Sequence, residues 1–225
     1  MIPRPKLRRV LRVRRNAIAP RQRGQHAKAL ARRLGRHPLF VRARRVGAYC
    51  SNDGEIDPAP LLSAARARHK RVFLPVLRAH PYQKLWFVEV RQDSRLTRNR
   101  FGIPEPNLRR GRIRLPWALD LLLVPLVGFD PDCNRLGMGG GFYDRTLAYL
   151  RIRRCWQRPR LIGLAHECQR VEAIDTGPWD VPLDGVATEK RIWSRGPSKS
   201  TAHRRTGGTG TARSTSATPD QVEHQ

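Results

Sequence analysis

The sequence predicts an α/β protein with a mixed, largely parallel central sheet and helices on both faces. Short apolar runs alternate with segments of helical periodicity. A strand–helix–strand unit occurs early in the chain, and a later run, residues 119–124, is apolar except for Asp120, as in a strand buried on both faces. Strands that alternate with helices form sheets covered on both sides. A basic helical hairpin precedes this body, and a disordered C-terminal tail follows it.

The hairpin is predicted from the first 34 residues. Apolar residues at positions 7, 10, 11 and 18 have roughly helical spacing. A second helix is expected to begin at Pro20, a favoured first-turn residue, and to end at Leu34. The first 50 residues contain 16 Lys and Arg and no Asp or Glu, so the hairpin is strongly basic.

The sheet is predicted from the segments that follow. Strands are expected over residues 45–50, 72–77, 85–90, 119–124 and 161–165, with a last strand within 186–193. A helix over 57–70, opened by Pro58, joins the first two strands as a βαβ unit. Because such sheets bind ligands beyond the carboxyl ends of their strands, the segment after residue 124 is the first place to look for a site.

Length and composition limit the class of protein. The chain has 225 residues, a net charge of +27 and 39% hydrophobic residues, which allows one domain, residues 1–195, and a tail, residues 196–225. The tail has almost no large apolar residues and is predicted to be disordered. No apolar run is long enough for a membrane span, and the arginine-dense start lacks the apolar region of a signal peptide. We expect a cytoplasmic monomer.

The charge does not by itself indicate a nucleic-acid-binding protein. Of the 45 cationic residues 39 are arginines, and they are dispersed through the chain. The first 50 residues offer only Phe40 and Tyr49 for stacking on bases, so no specific nucleic-acid partner is expected. The four cysteines have no C-x-x-C spacing, which argues against a zinc or redox motif built from them.

The segment after residue 124 contains a glycine-rich loop. Four glycines within residues 137–141 allow close approach of a ligand to the backbone, and they lead into a helix start that favours an anion. Arg135 and Arg145 flank the loop with cations suited to phosphate, and Asp144 is a hard oxygen ligand suited to Mg²⁺. Alternatively the loop is only flexible, Asp144 only stabilises the helix start, and Arg145 is a solvated helix residue.

Residues 124–145 resemble the signature V-P-x-x-x-F-D-x-x-x-x-R-L-G-x-G-G-G-[YF]-Y-D-R of the 5-formyltetrahydrofolate cyclo-ligases, also called 5,10-methenyltetrahydrofolate synthetases. The resemblance extends from Arg4 to Trp193. Supporting matches lie in residues 54–57, 101–106, 179–184 and 188–189, and Arg4 and Arg8 resemble the opening R/K-x-x-x-R of that family. A Ser is common in the family where Ala19 precedes the second helix.

The resemblance implies ATP-dependent conversion of 5-formyltetrahydrofolate to 5,10-methenyltetrahydrofolate, with ADP and phosphate as products and with Mg²⁺ bound. It implies that Asp144 and Arg145 are catalytic residues and that Asp144 and Asp180 are metal ligands. The nucleotide would be bound by Arg4, Arg8, Arg135, Leu136, Gly137, Met138, Gly139, Gly140, Gly141, Phe142 and Tyr143. The folate would be bound by Cys50, Glu55, Glu105, Met138 and Phe142.

Several of these roles have an alternative. Cys50, Met138 and Phe142 are equally well explained as core residues, and Arg4 and Arg8 as two more arginines of an arginine-rich helix. Glu55 resembles the pterin-binding carboxylate of the family, since a carboxylate accepts a pair of N–H bonds from an aminopyrimidine edge, but it also ends a strong turn. Glu105 either orients the folate or braces its own loop.

Two other functions compete with the enzyme: a basic RNA- or ribosome-associated module on the same fold, and a noncatalytic binder of folate or nucleotide.

Overall fold

Two helices precede the sheet. In the computed structural model, which describes residues 2–77, 83–108, 112–152 and 158–196, α1 spans Arg4–Asn16 and α2 spans Pro20–Leu34. Both predicted helices of the basic hairpin are therefore present. Neither has a side-chain cap at its start, where Pro3 and Ala19 stand.

The remaining elements alternate between helices and strands. The helices are α3 (Pro38–Arg42), α4 (Ala59–Ala67) and α5 (Phe142–Leu147), with 3-10 helices over Pro116–Ala118, Ala148–Arg151 and Glu167–Gln169. The strands are β1 (Arg45–Gly47), β2 (Arg71–Leu77), β3 (Leu85–Val90), β4 (Leu96–Arg98), β5 (Pro104–Pro106), β6 (Ile113–Arg114), β7 (Leu121–Pro125), β8 (Gly128–Phe129), β9 (Arg135–Leu136), β10 (Arg160–Leu164), β11 (Gly185–Ala187) and β12 (Ile192–Ser194).

Within the described residues, eight strands form the main sheet in the order β12-β11-β10-β7-β1-β2-β3-β6. The strands from β11 to β2 pair in parallel, whereas β12, β3 and β6 pair antiparallel at the edges. The predicted mixed, largely parallel sheet is confirmed. The expected βαβ unit is β1-α4-β2, and β7 lies centrally with Leu121 to Val124 fully buried.

Alternation along the strands explains why both faces are covered. Leu121 and Leu123 point into one core cluster, which they share with side chains of α2 and α4. Leu122 and Val124 point into a second cluster on the other face, which includes Leu147 of α5. Successive side chains of a strand face opposite sides, so an uninterrupted apolar run requires apolar partners on both faces.

Several boundaries differ from the expectation. Strand β1 ends at Gly47 rather than at residue 50, and β7 begins at Leu121 rather than at residue 119. Residues 186–193 form a hairpin of β11 and β12 rather than one strand, because the hydroxyl of Thr188 accepts hydrogen bonds from the backbone N–H groups of Lys190 and Arg191 and turns the chain. The helix expected over 57–70 is shorter. It ends before His69, whose φ of 54° is incompatible with a continuing helix.

The described residues up to Arg195 form one compact unit. The expected disorder of residues 196–225 lies outside the described residues apart from Gly196, and the domain boundary stays a prediction. Among the residues that the structure describes, no helix has the length and hydropathy that crossing a membrane requires.

Candidate active site

A pocket lies at the carboxyl edge of the parallel strands, where open α/β sheets bind ligands. The segments that follow β1 and β7, the end of β2 and residues 99–105 enclose it together with α1, and its volume is about 970 Å³. The residues that line the pocket therefore come from parts of the chain that are far apart in sequence.

One wall is the glycine loop, residues 137–141. Gly139 and Gly141 have φ of 107° and 64°, values that favour glycine over residues with a side chain. A Cβ on Gly141 would lie 2.6 Å from Nη1 of Arg145. Four of the five loop residues lack a side chain, so the main chain itself forms this part of the pocket surface.

Two arginines hold this loop from opposite sides. Nε of Arg8, on α1, donates to the carbonyl of Gly137 at 2.8 Å. Nη2 of Arg145, on α5, donates to the carbonyl of Gly140 at 2.5 Å and to Oε1 of Gln83 at 3.1 Å. The guanidinium of Arg145 also lies 5.3 Å from the centre of the Phe142 ring. Both cations line the pocket and shape the loop.

Arg135 and Asp144, which lie on either side of the glycine loop in sequence, form an ion pair. Nη2 of Arg135 lies 2.5 Å from Oδ1 of Asp144, and the Arg135 side chain is only 4% exposed. The same carboxylate oxygen accepts from the backbone N–H of Val181 at 3.2 Å. Asp144 is thus held in place by the strand before the loop and by the segment that carries Asp180.

Asp180 forms a second ion pair with α1. Its carboxylate accepts two hydrogen bonds from the guanidinium of Arg4, at 2.9 and 3.3 Å, and one from the N–H of Gly177 at 2.8 Å. Burial would raise the pKa of Asp180, but the bonds from Arg4 and Gly177 outweigh it and lower that pKa. Asp180 is therefore an anion near neutral pH.

Glu55 ends a tight turn on the opposite side of the pocket. Its N–H donates to the carbonyl of Asn52 at 2.9 Å, and the N–H of Asn52 donates back to Oε2 of Glu55 at 3.1 Å. Burial raises the pKa of Glu55 to about 7, against the opposing effects of the Asn52 N–H and the Arg15 charge. This carboxyl group changes its charge near neutral pH.

Helix α1 also holds that turn. Asp53 and Gly54 have φ of 48° and 74°, and the Asp53 carboxylate accepts from Arg12 at 2.7 Å, Arg15 at 2.8 Å and Asn16 at 3.0 Å. The Arg15 side chain is fully buried. One helix therefore contacts the glycine loop, the Asp180 segment and the Glu55 turn.

Apolar and aromatic side chains complete the pocket. Cys50 and Tyr143 line its inner part, and burial raises the pKa of both side chains. Met138 and Phe142 line it too, and Phe101 meets Phe142 edge to face with ring centres 6.1 Å apart. Such a surface suits a flat ring system.

Glu105 accepts hydrogen bonds from a nearby side chain and from the backbone at the end of β2. Its Oε2 accepts from Nδ2 of Asn99 at 3.1 Å and from the N–H of Leu77 at 3.3 Å. It lines the pocket as well. The contacts of Glu105 therefore brace the loop that carries Phe101.

Comparison with known proteins places the chain in a family. The model of the 5-formyltetrahydrofolate cyclo-ligase family matches residues 2–189. The Escherichia coli K12 protein named 5-formyltetrahydrofolate cyclo-ligase is 40% identical over 188 residues, which are 82% of this chain and 99% of that protein. The chain belongs to the 5-formyltetrahydrofolate cyclo-ligase family. The resemblance stated from the signature is confirmed.

Another relative and a solved structure support the same family. The Haemophilus influenzae protein of the same name is 45% identical over 145 residues, 63% of this chain and 73% of the relative. The NMR structure of Aquifex aeolicus 5,10-methenyltetrahydrofolate synthetase superposes with a TM-score of 0.75 at 27% identity, covering 91% of this chain and 99% of that one. The cyclo-ligase fold extends over the whole body of the chain.

The pocket of this cyclo-ligase brings together nearly all of the residues singled out in the sequence. Those that line it are Arg4, Arg8, Cys50, Glu55, Glu105, Arg135, Gly137, Met138, Gly139, Gly140, Gly141, Phe142, Tyr143, Asp144, Arg145 and Asp180. Leu136 is not among them. Its side chain is fully buried in a cluster with Leu11, Val127 and Ile174, so only its backbone is available to a nucleotide.

Sequence reasoning assigned no role to several other lining residues. Phe101, Asn99 and Arg151 line the pocket. Phe101 lies within the matching segment 101–106, and its 52% exposure indicates a ligand contact more than a core role. No sequence signal identifies Asn99 or Arg151, because their position depends on how the loops fold over the sheet edge.

Proposed function

We propose that this protein catalyses the ATP-dependent cyclisation of 5-formyltetrahydrofolate to 5,10-methenyltetrahydrofolate, releasing ADP and phosphate. One observation carries the proposal: a single pocket joins a glycine loop flanked by arginines to a buried carboxyl group in an apolar, aromatic surface. The first part suits a triphosphate, and the second suits a pterin. Membership of the cyclo-ligase family supports the same assignment.

On the nucleotide side, we assign phosphate binding to the main chain of residues 136–143. Backbone N–H groups of such a loop bind phosphate oxygens without a side chain in the way. Arg4, Arg8, Arg135 and Arg145 supply cations around it. Arg135 is held by Asp144, which fixes the direction of its guanidinium.

On the folate side, we assign the aminopyrimidine edge to Glu55. Its carboxylate would accept two N–H bonds, which requires the ionised form. Cys50, Met138 and Phe142 would contact the flat faces of the pterin. Glu105 would act by holding the loop that bears Phe101.

The residues present fit a divalent cation of the Mg²⁺ type. Asp144 and Asp180 line one pocket and are linked through the Val181 N–H, and carboxylate oxygens are the ligands that Mg²⁺ prefers. These two side chains would hold the ion once the ion replaces Arg135 at Asp144 and Arg4 at Asp180, with which they pair in this structure. When bound, it would offset the negative charge of the phosphates.

The proposed reaction activates a poor leaving group. The formyl group on N5 is amide-like, and the γ-phosphoryl group of ATP passes to its oxygen, breaking the bond to ADP and forming an iminium phosphate. N10 then attacks the formyl carbon, the C–O bond breaks with its electrons leaving on phosphate, and N10 loses its proton. The role of the protein is positioning and charge stabilisation, as in phosphoryl transfer generally.

We further propose that the protein acts as a cytoplasmic monomer without a specific nucleic-acid partner. Cys50, Cys133 and Cys168 are free thiols, which suits a reducing compartment.

The test is the near-UV absorbance of the methenyl product formed from 5-formyltetrahydrofolate with Mg-ATP. Arg145→Ala and Asp144→Asn should each lower kcat by about 10²–10³-fold, the usual cost of one charge-stabilising group. Arg145 is exposed and donates to Gly140 and Gln83, so its removal should lower stability by only about 1 kcal/mol. Arg9→Ala, on the exposed side of α1, is the control and should match the wild type.

Two results would contradict the proposal. One, which contradicts the roles assigned to these two side chains, is turnover in Arg145→Ala and Asp144→Asn equal to that of the wild type. The other is tight, salt-sensitive RNA binding by the wild type with no ring closure, which the RNA-module hypothesis predicts.

A further inference from the structure

A second cluster of polar side chains lies outside the pocket. His26 of α2, His166 after β10 and Glu189 after β11 have ligand atoms within 4.8 Å of one another. The Nδ1 atoms of the two histidines are 2.9 Å apart, and Nδ1 of His26 is 3.9 Å from Oε1 of Glu189. None of the three lines the proposed active site.

The cluster is enclosed and its members are held in place. His166 is fully buried, and the side chains of His26 and Glu189 are 18% and 11% exposed. Oε2 of Glu189 accepts from the N–H of Glu167 at 3.0 Å, which leaves Oε1 directed at the histidines. The N–H of His166 donates to Oε1 of Gln169 at 2.8 Å.

A hydrogen bond between the two rings does not satisfy this cluster. Nε2 of His166 is buried and makes no hydrogen bond to the described residues, although the Gly54 carbonyl is near enough to favour a proton on the ring. Two imidazole Nδ1 atoms 2.9 Å apart cannot both carry a proton along that contact, so at least one of them offers a lone pair.

We propose that His26, His166 and Glu189 form a binding site for a divalent transition-metal ion of the zinc type. Two imidazole nitrogens and one carboxylate oxygen are a known zinc ligand set, with a fourth position open to water. Imidazole also selects such ions over Mg²⁺, which prefers oxygen.

The ligand atoms are near the spacing that zinc requires. Tetrahedral zinc with bonds of about 2.0–2.1 Å places neighbouring ligand atoms roughly 3.3 Å apart. The observed separations are 2.9 Å between the two Nδ1 atoms and 3.9 Å from Nδ1 of His26 to Oε1 of Glu189, and all three ligand atoms lie within 4.8 Å of one another. Side-chain rotation would bring the three atoms to the tetrahedral spacing. The bound ion would join α2 to the loops after β10 and β11.

The experiment uses tag-free full-length protein stripped with a chelator. Excess Mg²⁺ fills carboxylate sites, and Co²⁺ is then added as a spectroscopic probe. We expect one Co²⁺ per chain, with the strong visible absorption of a four-coordinate site. Zn²⁺ should displace it and raise the Tm, because an ion that binds only the folded state stabilises it.

Two variants and one control assign the site. His26→Ala and Glu189→Gln should each weaken Co²⁺ binding by at least ~10-fold, the cost of losing even an outer-shell partner. His69→Asn removes an exposed histidine while keeping a residue that tolerates positive φ, and it should bind like the wild type. Ring-closing activity of all three variants reports that they are folded. Absence of stoichiometric Co²⁺ binding by the wild type, or unchanged affinity in both cluster variants, would overturn the proposal.

Discussion

The surroundings of Glu55 shift the pKa of its carboxyl group in two opposite directions. Burial raises its pKa, whereas the Asn52 N–H and the charge of Arg15 lower it, and the result is a pKa of about 7. A Glu with a raised pKa favours the folded state while it is protonated, and this contribution is lost as the pH rises through 7. Binding of an aminopyrimidine needs the ionised form, so stability and folate affinity should change in opposite directions across neutral pH.

This predicts a bend in the pH profile of the proposed activity. At saturating ATP, kcat/KM for 5-formyltetrahydrofolate should rise roughly tenfold between pH 6 and pH 8, following ionisation of a group with a pKa near 7. Glu55→Gln should lower kcat/KM at pH 8 and flatten the profile. A bend that persists in Glu55→Gln would assign the titration to another group.

The residues of the glycine loop were predictable from the sequence, but their partners were not. The spacing of residues 135–145 carries the signature, so Arg135, Asp144 and Arg145 could be named before the structure was known. That Arg135 pairs with Asp144, and that Arg145 reaches Gln83, depends on loop packing. The raised pKa of Glu55 likewise depends on burial by residues from distant segments of the chain.

At the scale of elements, α1 connects the two halves of the pocket. Arg4 and Arg8 contact the nucleotide side, and Arg15 contacts Asp53 in the turn before Glu55. The apolar spacing of α1 predicted the helix. It did not predict that an arginine within the same helix would be buried, since arginine is among the residues most often exposed.

Asp53→Asn should therefore affect the folate side more than the nucleotide side. It removes the partner of the buried Arg15 and should cost about 2–3 kcal/mol, below the 3–5 kcal/mol of a fully buried pair because Asp53 is 23% exposed. Denaturant unfolding measures this loss. KM for folate should rise while KM for ATP changes little, and Asp93→Asn, at an exposed position, is the control. Equal increases in both KM values would contradict the role assigned to α1.

Helix α2 lacks a capping side chain, which makes a stabilising substitution possible. Ala19 has the extended backbone of an N-cap and is exposed, and Gln22 stands three residues later. Ala19→Ser would complete a capping box and should stabilise the protein by about 1 kcal/mol. For a chain of this size that is a rise in Tm of roughly 2–4 °C.

Thermal unfolding checks the capping prediction, with Lys28→Ser as the control. This change places the same hydroxyl in the exposed middle of α2, where serine is neutral or unfavourable. A rise in Tm for Lys28→Ser equal to that for Ala19→Ser would show that capping is not the cause.

At the scale of the whole molecule, hydrophobic patterning predicted the architecture. The alternation of apolar runs with helical segments indicated a largely parallel sheet, and the uninterrupted run at β7 indicated its central strand. Sequence reasoning missed the short ribbons β4–β5 and β8–β9, because strands of two or three residues carry no period that can be recognised. These ribbons fold over the carboxyl edge of the sheet and shape the pocket.

The sheet edge explains why two chemically different ligands would meet at one point. The loops after β1 and β7 start from neighbouring parallel strands, and one leads to Glu55 while the other leads to the glycine loop. We infer that this arrangement places the γ-phosphoryl group of ATP next to the formyl oxygen of a bound folate, so that the group is transferred to that oxygen.

The most direct test is to follow that oxygen. 5-Formyltetrahydrofolate labelled with ¹⁸O in the formyl group is converted with unlabelled Mg-ATP, and the released phosphate is analysed by mass spectrometry. We expect one ¹⁸O atom in each phosphate and no product without ATP. Phosphate that contains no ¹⁸O, or ring closure at an unchanged rate without nucleotide, would contradict it.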